Sequence, residues 1–180
     1  MKNLLIVVDY QNDFVSGSLG FPGAEALDGP IARRIADYRA AGDDVLFTMD
    51  THGPDYPHTQ EGRKLPVPHC IKGTPGWDLY GQTGRSLLPG DPVFEKETFP
   101  SLDLADYLRG RDYAAVELCG LVSNICVLSN AVMVKAALPQ AEITVDARLT
   151  AGADPVLHQK APDVLSGIHV AVTGREKETT

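Results

Sequence analysis

The chain has 180 residues, of which 43% are hydrophobic and 22% are charged, and its formal net charge is −8. A chain of this length can bury a full core, so we expect one domain over residues 1–180. The acidic balance and scattered basic residues argue against nucleic acid or a membrane as a partner. The three cysteines have no paired spacing, so we expect a cytoplasmic protein in a reducing compartment.

Short runs rich in β-branched residues alternate with helical patterns along the chain. In chain order, the predicted elements are strand 4–9, helix 28–41, strands 44–50 and 92–96, helix 101–110, strand 114–119, helix 124–138, strand 141–146, helix 154–166 and strand 168–172. This alternation is typical of right-handed βαβ units with helices on both faces of the sheet. The pattern therefore predicts a three-layer α-β-α fold, of the α/β class, with a mostly parallel six-stranded sheet.

Residues 51–91 break this alternation, because they have no convincing strand and only a weak helical pattern at 83–88. So long a loop inside a compact domain is usually functional or disordered. Its histidines and aromatic residues, with Trp77 and Tyr80, favour an ordered functional loop over the sheet edge. At the other end of the chain, residues 175–180 are expected to fray.

Four chemically active side chains stand at or just after the ends of predicted strands. Asp9, Asp50 and Lys96 each end a strand, and Cys126 follows a fourth strand where a helical pattern begins. The carboxyl ends of neighbouring parallel strands form one edge, along which open α/β sheets bind ligands. A carboxylate, an amine and a thiol that meet there suit nucleophilic catalysis, and the second carboxylate is left for a metal.

Cys126 has the sequence setting of a nucleophile. It lies in the first turn after the segment GLVSN (120–124), where backbone N–H groups and the helix dipole lower a thiol pKa. The N–H groups of Val122 and Cys126 are natural donors for an oxyanion hole. Taken alone, the residue is equally well interpreted as a buried structural cysteine.

Asp9 and Lys96 also have ordinary interpretations. A carboxylate that ends a strand can serve as a general base, bind a metal or cap the next turn. A lysine at that position is usually a surface residue whose ammonium reaches water. Beside a thiol and a carboxylate, Lys96 would instead favour the thiolate and the developing oxyanion.

A second cluster is predicted around Asp50, His52 and His69, with His58 and Glu61 between them. Residues two apart on an extended segment project to the same side of the chain, so Asp50 and His52 can point in the same direction. One carboxylate and two imidazoles suit zinc, iron or manganese. The alternative is a pair of loop histidines that only make structural hydrogen bonds.

Five motifs, in order, carry a resemblance to a known family. They are DYQNDF (9–14) with FPGAEAL downstream, DTH (50–52), PHCIKGTPGW (68–77), FEKETFPS (94–101) and GLVSNICV (120–127). Nearly end to end, the chain resembles the isochorismatase-like cysteine hydrolases, and within them the nicotinamidases. The resemblance implies the isochorismatase-like hydrolase fold and a homo-oligomer.

The resemblance also implies a catalytic triad of Asp9, Lys96 and Cys126. In such enzymes the thiolate attacks an amide carbonyl, ammonia leaves, and water then hydrolyses the thioester. Asp9 would carry the proton in both halves of the reaction. A non-proline cis peptide is implied in the turn before the nucleophile, near Leu121–Val122.

A divalent metal that binds the pyridine nitrogen and orients the substrate is implied as well. Asp50, His52 and His69 match its ligand positions, with zinc as the first expectation ahead of iron or manganese. Glu61 is preferred over His58 as the fourth ligand.

The chain departs from the family beside the substrate ring. Many nicotinamidases have a Trp shortly before the His69 position that stacks on the ring, but residues 65–68 are Leu-Pro-Val-Pro. Phe14 is expected to contact the ring from the other side, and Trp77 or Tyr80 would replace the missing Trp. The departure leaves the identity of the amide open.

We therefore expect a cysteine-dependent amidohydrolase for a small aromatic amide, with nicotinamide, cleaved to nicotinate and ammonia, as the first candidate. The alternatives are a hydrolase of another small amide or ureido compound, a metallohydrolase in which Cys126 is incidental, and a catalytically silent binding protein. The presence of Asp9, Lys96 and Cys126 together argues against a silent protein.

Overall fold

The computed structural model describes residues 1–175, in which six strands form one sheet between layers of helices. The strands are β1 (Lys2–Val8), β2 (Asp44–Asp50), β3 (Val93–Lys96), β4 (Tyr113–Leu121), β5 (Glu142–Ala151) and β6 (Ala171–Thr173). Their order in the sheet is β3-β2-β1-β4-β5-β6, and every neighbouring pair is parallel. The predicted α/β class and six-stranded sheet are confirmed, whereas the fraying predicted for the tail lies, beyond Arg175, outside the described residues.

Seven α-helices accompany the strands in residues 1–175. They are α1 (Asn12–Val15), α2 (Asp28–Ala40), α3 (Gln60–Lys64), α4 (Gly81–Arg85), α5 (Leu102–Leu108), α6 (Leu128–Ala137) and α7 (Pro155–Gly167). Short 3₁₀ turns cover Ala24–Leu27 and Tyr56–His58, and a π-helical turn covers Ser123–Val127. The longest of these helices have 13 residues, and none combines the length and apolar character that crossing a bilayer requires.

The apolar side chains of β1 alternate between two cores, one on each face of the sheet. Leu4 and Ile6 pack with residues of α5, α6 and α7, while Leu5 and Val7 pack with residues of α2. All four side chains are at most 1% exposed, as expected for a central parallel strand that is covered on both faces. The predicted three layers therefore arise directly from the unbroken apolar run in β1.

The observed elements differ from the predicted bounds at most of their ends, and three of these differences lie at the carboxyl edge of the sheet. β1 ends at Val8, because Asp9 has a left-handed backbone with φ of 46° that cannot continue a strand. β5 continues to Ala151, because its pairing with β4 resumes after an irregularity and joins Gly120 to Thr150. The helix predicted over 124–138 begins with the π-helical turn and becomes α6 only from Leu128.

The strand order reverses at β1, and this reversal locates the site. From β1 the chain builds β2 and β3 on one side and then returns to add β4 on the other side. In open α/β sheets the carboxyl ends of the strands at such a reversal border a crevice. Asp9 follows β1, and the π-helical turn follows β4, so both lie at this crevice.

The segment 51–91 is ordered by contacts with the carboxyl edge of the sheet. Gln11 forms an antiparallel bridge with Leu79, and His52 forms a parallel bridge with Ile71. The carboxylate of Asp13 accepts a hydrogen bond from the backbone N–H of Cys70 at 2.7 Å. The weak helical pattern at 83–88 corresponds to α4, which begins two residues earlier, at Gly81.

A substitution at Gly120 tests how closely β4 approaches β1 at this crevice. Its φ is 108°, and an added Cβ would lie 2.0 Å from the carbonyl oxygen of Val8. We expect Gly120→Ala to lower the free energy of unfolding by at least about 1–3 kcal/mol, the scale of one strained backbone position. Urea denaturation monitored by circular dichroism measures this change.

Gly167→Ala is the matched control, because Gly167 ends α7 and an added Cβ meets no atom within 4 Å. It should change stability by no more than about 1 kcal/mol, in the stabilising direction. Equal unfolding free energies for the two variants would contradict the close approach of the strands.

Candidate active site

The four side chains predicted to converge at the carboxyl edge of the sheet do converge there. The ammonium nitrogen of Lys96 lies 2.6 Å from Oδ2 of Asp9 and 3.1 Å from Oδ1 of Asp50. The same nitrogen lies 3.7 Å from Sγ of Cys126. All four residues are buried, and Cys126 is the most exposed of them at 6%.

Lys96 is a buried cation and not the surface lysine of the ordinary interpretation. Burial alone would lower its pKa, but the charges of Asp9 and Asp50 and the hydrogen bond with Asp9 oppose that effect, and the pKa is raised. Lys96 therefore keeps its proton at neutral pH. A buried charge is tolerated only when it is paired, which explains why two carboxylates surround it.

Asp9 directs its carboxylate into the site. Thr48 on β2 donates to its Oδ1 at 2.7 Å, and the backbone N–H of Asp9 donates to the carbonyl of Thr48 at 3.1 Å. Burial raises the pKa of Asp9, an effect that Lys96 opposes and Asp50 reinforces. A carboxylate with a raised pKa suits general acid and base chemistry better than an ordinary aspartate does.

The predicted lowering of the Cys126 pKa is wrong. Burial raises the pKa of this thiol well above its ordinary value, and the charge of Asp9 and a hydrogen bond with it act in the same direction. Lys96 opposes the rise without overcoming it. The resting side chain is therefore a neutral thiol, and the neighbouring Asp9 is placed to take its proton.

The backbone before Cys126 has the form implied by the resemblance. The peptide between Leu121 and Val122 is cis, and Cys126 lies inside the π-helical turn. Within residues 1–175, the N–H of Val122 donates to no acceptor, while its carbonyl accepts from Ile125 and Val127. These positions leave the predicted oxyanion donors, Val122 and Cys126, as candidates for that role.

Asp50, His52 and His69 form the predicted second cluster. Oδ2 of Asp50 lies 3.0 Å from Nε2 of His52 and 3.3 Å from Nε2 of His69. Although burial alone would raise the pKa of Asp50, hydrogen bonds with both imidazoles and the charge of Lys96 lower it, so the carboxylate stays ionised. Nδ1 of His69 lies 2.8 Å from the carbonyl of Val67, an arrangement that directs Nε2 towards Asp50, where it can serve as a metal ligand.

These three ligand atoms lie within 4.8 Å of one another and are all buried. One ionised carboxylate and two imidazole nitrogens form a donor set that fits a divalent metal. Glu61 lies beside the cluster, with Oε1 3.9 Å from Nε2 of His52 and 3.8 Å from Nε2 of His69. His58 is exposed on the adjoining 3₁₀ turn, so the geometry favours Glu61 over His58 as a fourth ligand.

Gln11 is a site residue that the sequence did not single out. Its Nε2 donates to the carbonyls of Asp50 and Trp77, and its Oε1 accepts from the N–H of Asp50, each at 2.8 Å. This fully buried amide fixes the end of β2 and therefore the direction of the Asp50 side chain. Its place in the first motif, two residues after Asp9, was the only available signal.

The three aromatic residues predicted to contact the substrate ring pack against different neighbours. Phe14 packs against the metal-cluster residue His69, with ring centroids 5.5 Å apart. Trp77 donates from Nε1 to Oγ1 of Thr51 at 2.9 Å, and the ammonium of Lys72 lies 5.8 Å from its ring. Tyr80 packs 5.9 Å from Tyr10, so of the three predicted residues Phe14 is the one with a described contact to the cluster. Tyr56, which the sequence did not single out, packs closer, with its ring centroid 4.7 Å from that of His52 and 4.9 Å from that of His69.

A cavity of about 300 Å³ adjoins the site on the side of β3. Its lining includes Lys96 and His52, one residue from each cluster. A larger cavity of about 530 Å³ lies at the opposite, amino edge of the sheet and is lined by none of the candidate residues. Proximity to the reactive groups makes the smaller cavity the relevant one.

Comparison with known proteins gives a consistent picture. The model of the isochorismatase domain matches residues 3–177. A nicotinamidase/pyrazinamidase from Mycobacterium tuberculosis is 34% identical over 146 residues, which cover 71% of this chain and 75% of that protein.

Two solved structures share the fold over almost their whole length. The nicotinamidase/pyrazinamidase PncA from Bacillus subtilis has a TM-score of 0.83 and 32% identity, and the alignment covers 96% of this chain and 100% of that one. The pyrazinamidase of Pyrococcus horikoshii, solved in complex with zinc, has a TM-score of 0.81 and 26% identity, with 97% and 100% covered.

Alkylation of Cys126 by iodoacetamide tests the electrostatics of this site. Removing the cation in Lys96→Met should raise the thiol pKa further, so labelling at a fixed pH becomes slower. Removing the anion in Asp9→Asn should lower the thiol pKa, so the pH midpoint of the labelling curve falls, although the variant lacks the base beside the thiol. Mass spectrometry of the Cys126 peptide over a range of pH measures both rates.

Cys119 serves as the internal control, because it is fully buried and its pKa is raised by burial. Its labelling should be slower than that of Cys126 and unchanged in both variants. Shifts in the same direction for the two variants would contradict the assigned charges.

Proposed function

The chain belongs to the isochorismatase family, and on that premise we propose that it is a cysteine-dependent amidohydrolase that cleaves nicotinamide to nicotinate and ammonia. One observation carries this proposal. The ammonium of Lys96 lies 2.6 Å from the Asp9 carboxylate and 3.7 Å from the Cys126 sulfur. A base, a cation and a nucleophile are thus gathered at the crevice where ligands bind in such sheets.

The first half of the proposed reaction forms a thioester and releases ammonia. Asp9 takes the proton of the Cys126 thiol, and the sulfur forms a bond to the amide carbon. The N–H groups of Val122 and Cys126 stabilise the oxyanion that develops on the carbonyl oxygen. Asp9 then gives its proton to the amide nitrogen, the carbon–nitrogen bond breaks, and ammonia leaves.

The second half hydrolyses the thioester. Asp9 accepts a proton from a water molecule whose oxygen forms a bond to the acyl carbon. The carbon–sulfur bond breaks, nicotinic acid is released and loses its proton to solvent as nicotinate, and the sulfur takes the other water proton from Asp9. Lys96 keeps its charge throughout, because its raised pKa makes it a poor proton donor.

The second cluster is proposed to hold a divalent metal, with zinc as the first candidate and iron or manganese as alternatives. Asp50, His52 and His69 would be the protein ligands, and Glu61 would be the fourth. When bound, the metal would supply a Lewis-acidic site for the pyridine nitrogen. Phe14, which packs on His69, is placed to contact the ring of a substrate held there.

Trp77 stays a proposed substrate contact. Its ring lies beside Lys72, which also lines the cavity next to Lys96 and His52. A small aromatic amide that entered from this side would pass close to Trp77.

The second candidate function is hydrolysis of another small amide or ureido compound. It follows from the same triad with a different ring-binding region.

We also propose the remaining properties expected from the sequence. These are one domain over residues 1–180 with a functional loop at 51–91, a homo-oligomeric state and a cytoplasmic location. The free thiols of all three cysteines support a reducing compartment. The net charge of −8 supports a small-molecule partner and disfavours nucleic acid and anionic membranes.

Cys126→Ala tests the proposed nucleophile. Ammonia release from nicotinamide should fall by about 10⁴-fold or more, the scale seen when a catalytic nucleophile is removed. The control Cys119→Ala alters a buried thiol on the other face of the sheet and should retain turnover. Substantial turnover by Cys126→Ala would exclude covalent catalysis by this thiol.

A panel of nicotinamide, pyrazinamide and small ureido compounds, assayed for ammonia with the wild-type enzyme, separates the two candidate functions. The highest kcat/KM is expected for nicotinamide. A clear preference for a ureido compound would support the second candidate instead.

The metal cluster is tested by His52→Ala and Glu61→Gln, with His58→Ala as the exposed control. Metal content after dialysis, measured by mass spectrometry, should fall most in His52→Ala, fall less in Glu61→Gln and stay unchanged in His58→Ala. KM for nicotinamide should rise in the same order. Loss of metal in His58→Ala with none in Glu61→Gln would exchange the two residues in the ligand assignment.

A further inference from the structure

Asn130 is a fully buried amide one helical turn after Cys126, on α6. Its Nδ2 donates to the carbonyl of Cys126 at 2.8 Å and to the carbonyl of Phe99 at 3.1 Å. Its Oδ1 accepts from the N–H of Ser101 at 3.1 Å. One side chain thus joins the turn that carries Cys126 to the chain segment that follows Lys96.

The segment that carries Lys96 has few other hydrogen bonds to the sheet. Lys96 ends β3, an edge strand of four residues that pairs only with β2 among the strands of residues 1–175. Its carbonyl accepts from the N–H of Thr51 at 2.8 Å, which ties this end to the β2 side as well. The hydrogen bonds from Asn130 hold residues 97–101 from the opposite side, against α6.

Ser101 connects the Asn130 hydrogen bonds to the start of α5. Its hydroxyl accepts from the N–H of Leu104 and caps the first turn of α5, while its own N–H donates to Asn130. The connection between Lys96 and α5 is therefore fixed at Phe99 and Ser101 by one amide. α5 and α6 also pack in the same hydrophobic core, where Leu104 and Ala131 are members.

We propose that Asn130 is a positioning residue that sets the distance between the Lys96 ammonium and the Cys126 sulfur. The side chains of Lys96 and Cys126 come from separate segments, and 3.7 Å separates their reactive atoms. Asn130 hydrogen-bonds to the backbone of Cys126 and to the backbone of Phe99 and Ser101 in the segment that follows Lys96. It has no hydrogen bond to either reactive atom. This inference rests on the proposed function, because it takes Cys126 as the nucleophile.

Asn130→Leu and Asn130→Thr test the link. Leucine keeps a similar volume and removes all three hydrogen bonds. Threonine keeps one hydroxyl that can donate to the carbonyl four residues earlier, at Cys126, but it is too short to span to Phe99 and Ser101. Both variants therefore lose the hydrogen bonds to Phe99 and Ser101, and only the leucine variant also loses the hydrogen bond to the carbonyl of Cys126.

In both variants kcat for nicotinamide is expected to fall by about 10- to 100-fold with little change in KM, because a misplacement of about 1 Å can cost up to that factor. Iodoacetamide labelling of Cys126 at a fixed pH should also slow, since a more distant Lys96 favours the thiolate less. Wild-type kcat and a wild-type labelling rate in Asn130→Thr would overturn the proposal, and that variant decides the question if Asn130→Leu does not fold.

Val134→Ala is the matched control for stability. Val134 lies one turn further along the same helix, is fully buried and takes no part in the link. It should lower Tm while leaving kcat and the labelling rate of Cys126 unchanged. A fall in kcat and labelling equal to that of Asn130→Thr would show that loosening α6 alone explains the effect, and would overturn the role of the link.

The labelling assay needs no substrate, so it separates this inference from the proposed function. If the wild-type chain releases no ammonia from any amide, the proposed function fails. Slower labelling in Asn130→Thr with wild-type labelling in Val134→Ala would still support the link. Unchanged labelling in Asn130→Thr together with an active wild-type enzyme would leave the function standing and remove Asn130 from it.

Discussion

The burial of the Lys96 ammonium is the constraint on which the rest of the site depends. At 5% exposure this cation has little access to water, and it is compensated by Asp9, Asp50 and the polarisable sulfur of Cys126. Removing one partner of a buried ion pair leaves an uncompensated charge, which typically costs about 3–5 kcal/mol. The carboxylates therefore have a structural role and a chemical role at the same time.

Asp50 couples the two clusters through its two oxygens. Oδ1 faces the ammonium of Lys96, and Oδ2 faces the imidazoles of His52 and His69. The buried amide of Gln11 holds the backbone of Asp50 on both its N–H and its carbonyl. The contacts of its two oxygens hold the carboxylate itself in this orientation. A change of charge at the imidazoles is therefore felt by Lys96 and, through it, by Cys126.

The main features of the fold were predictable because β1 is a continuous apolar run ended by a charged residue. Leu4 to Val8 can be buried on both faces only in the middle of a sheet, and the end of that run marked Asp9. The convergence of Asp9, Asp50 and Lys96 then followed from parallel strands, with no knowledge of side-chain contacts.

The remaining features depended on contacts between segments distant in sequence. Gln11, Thr48 and Asn130 each form a hydrogen bond with a backbone or carboxylate group at least 31 residues away along the chain, and a polar residue inside a motif does not reveal such a partner. The lowered pKa predicted for Cys126 failed for a related reason. The prediction weighed the local helix terminus and had no access to the burial that the assembled fold imposes.

A neutral resting thiol is consistent with catalysis because the proton has only a short distance to travel. When Lys96 is protonated, Asp9 and Asp50 are both carboxylates and Cys126 is a neutral thiol, the four groups carry a net charge of −1. Loss of the Cys126 proton to solvent would leave two uncompensated negative charges in a buried space. Transfer of that proton to Asp9 leaves the net charge of the four groups unchanged. Burial therefore opposes a standing thiolate much more than it opposes the internal transfer, and the thiolate forms when an electrophilic carbon is present to consume it. Because burial raises its pKa, Asp9 holds this proton more readily than an ordinary aspartate would.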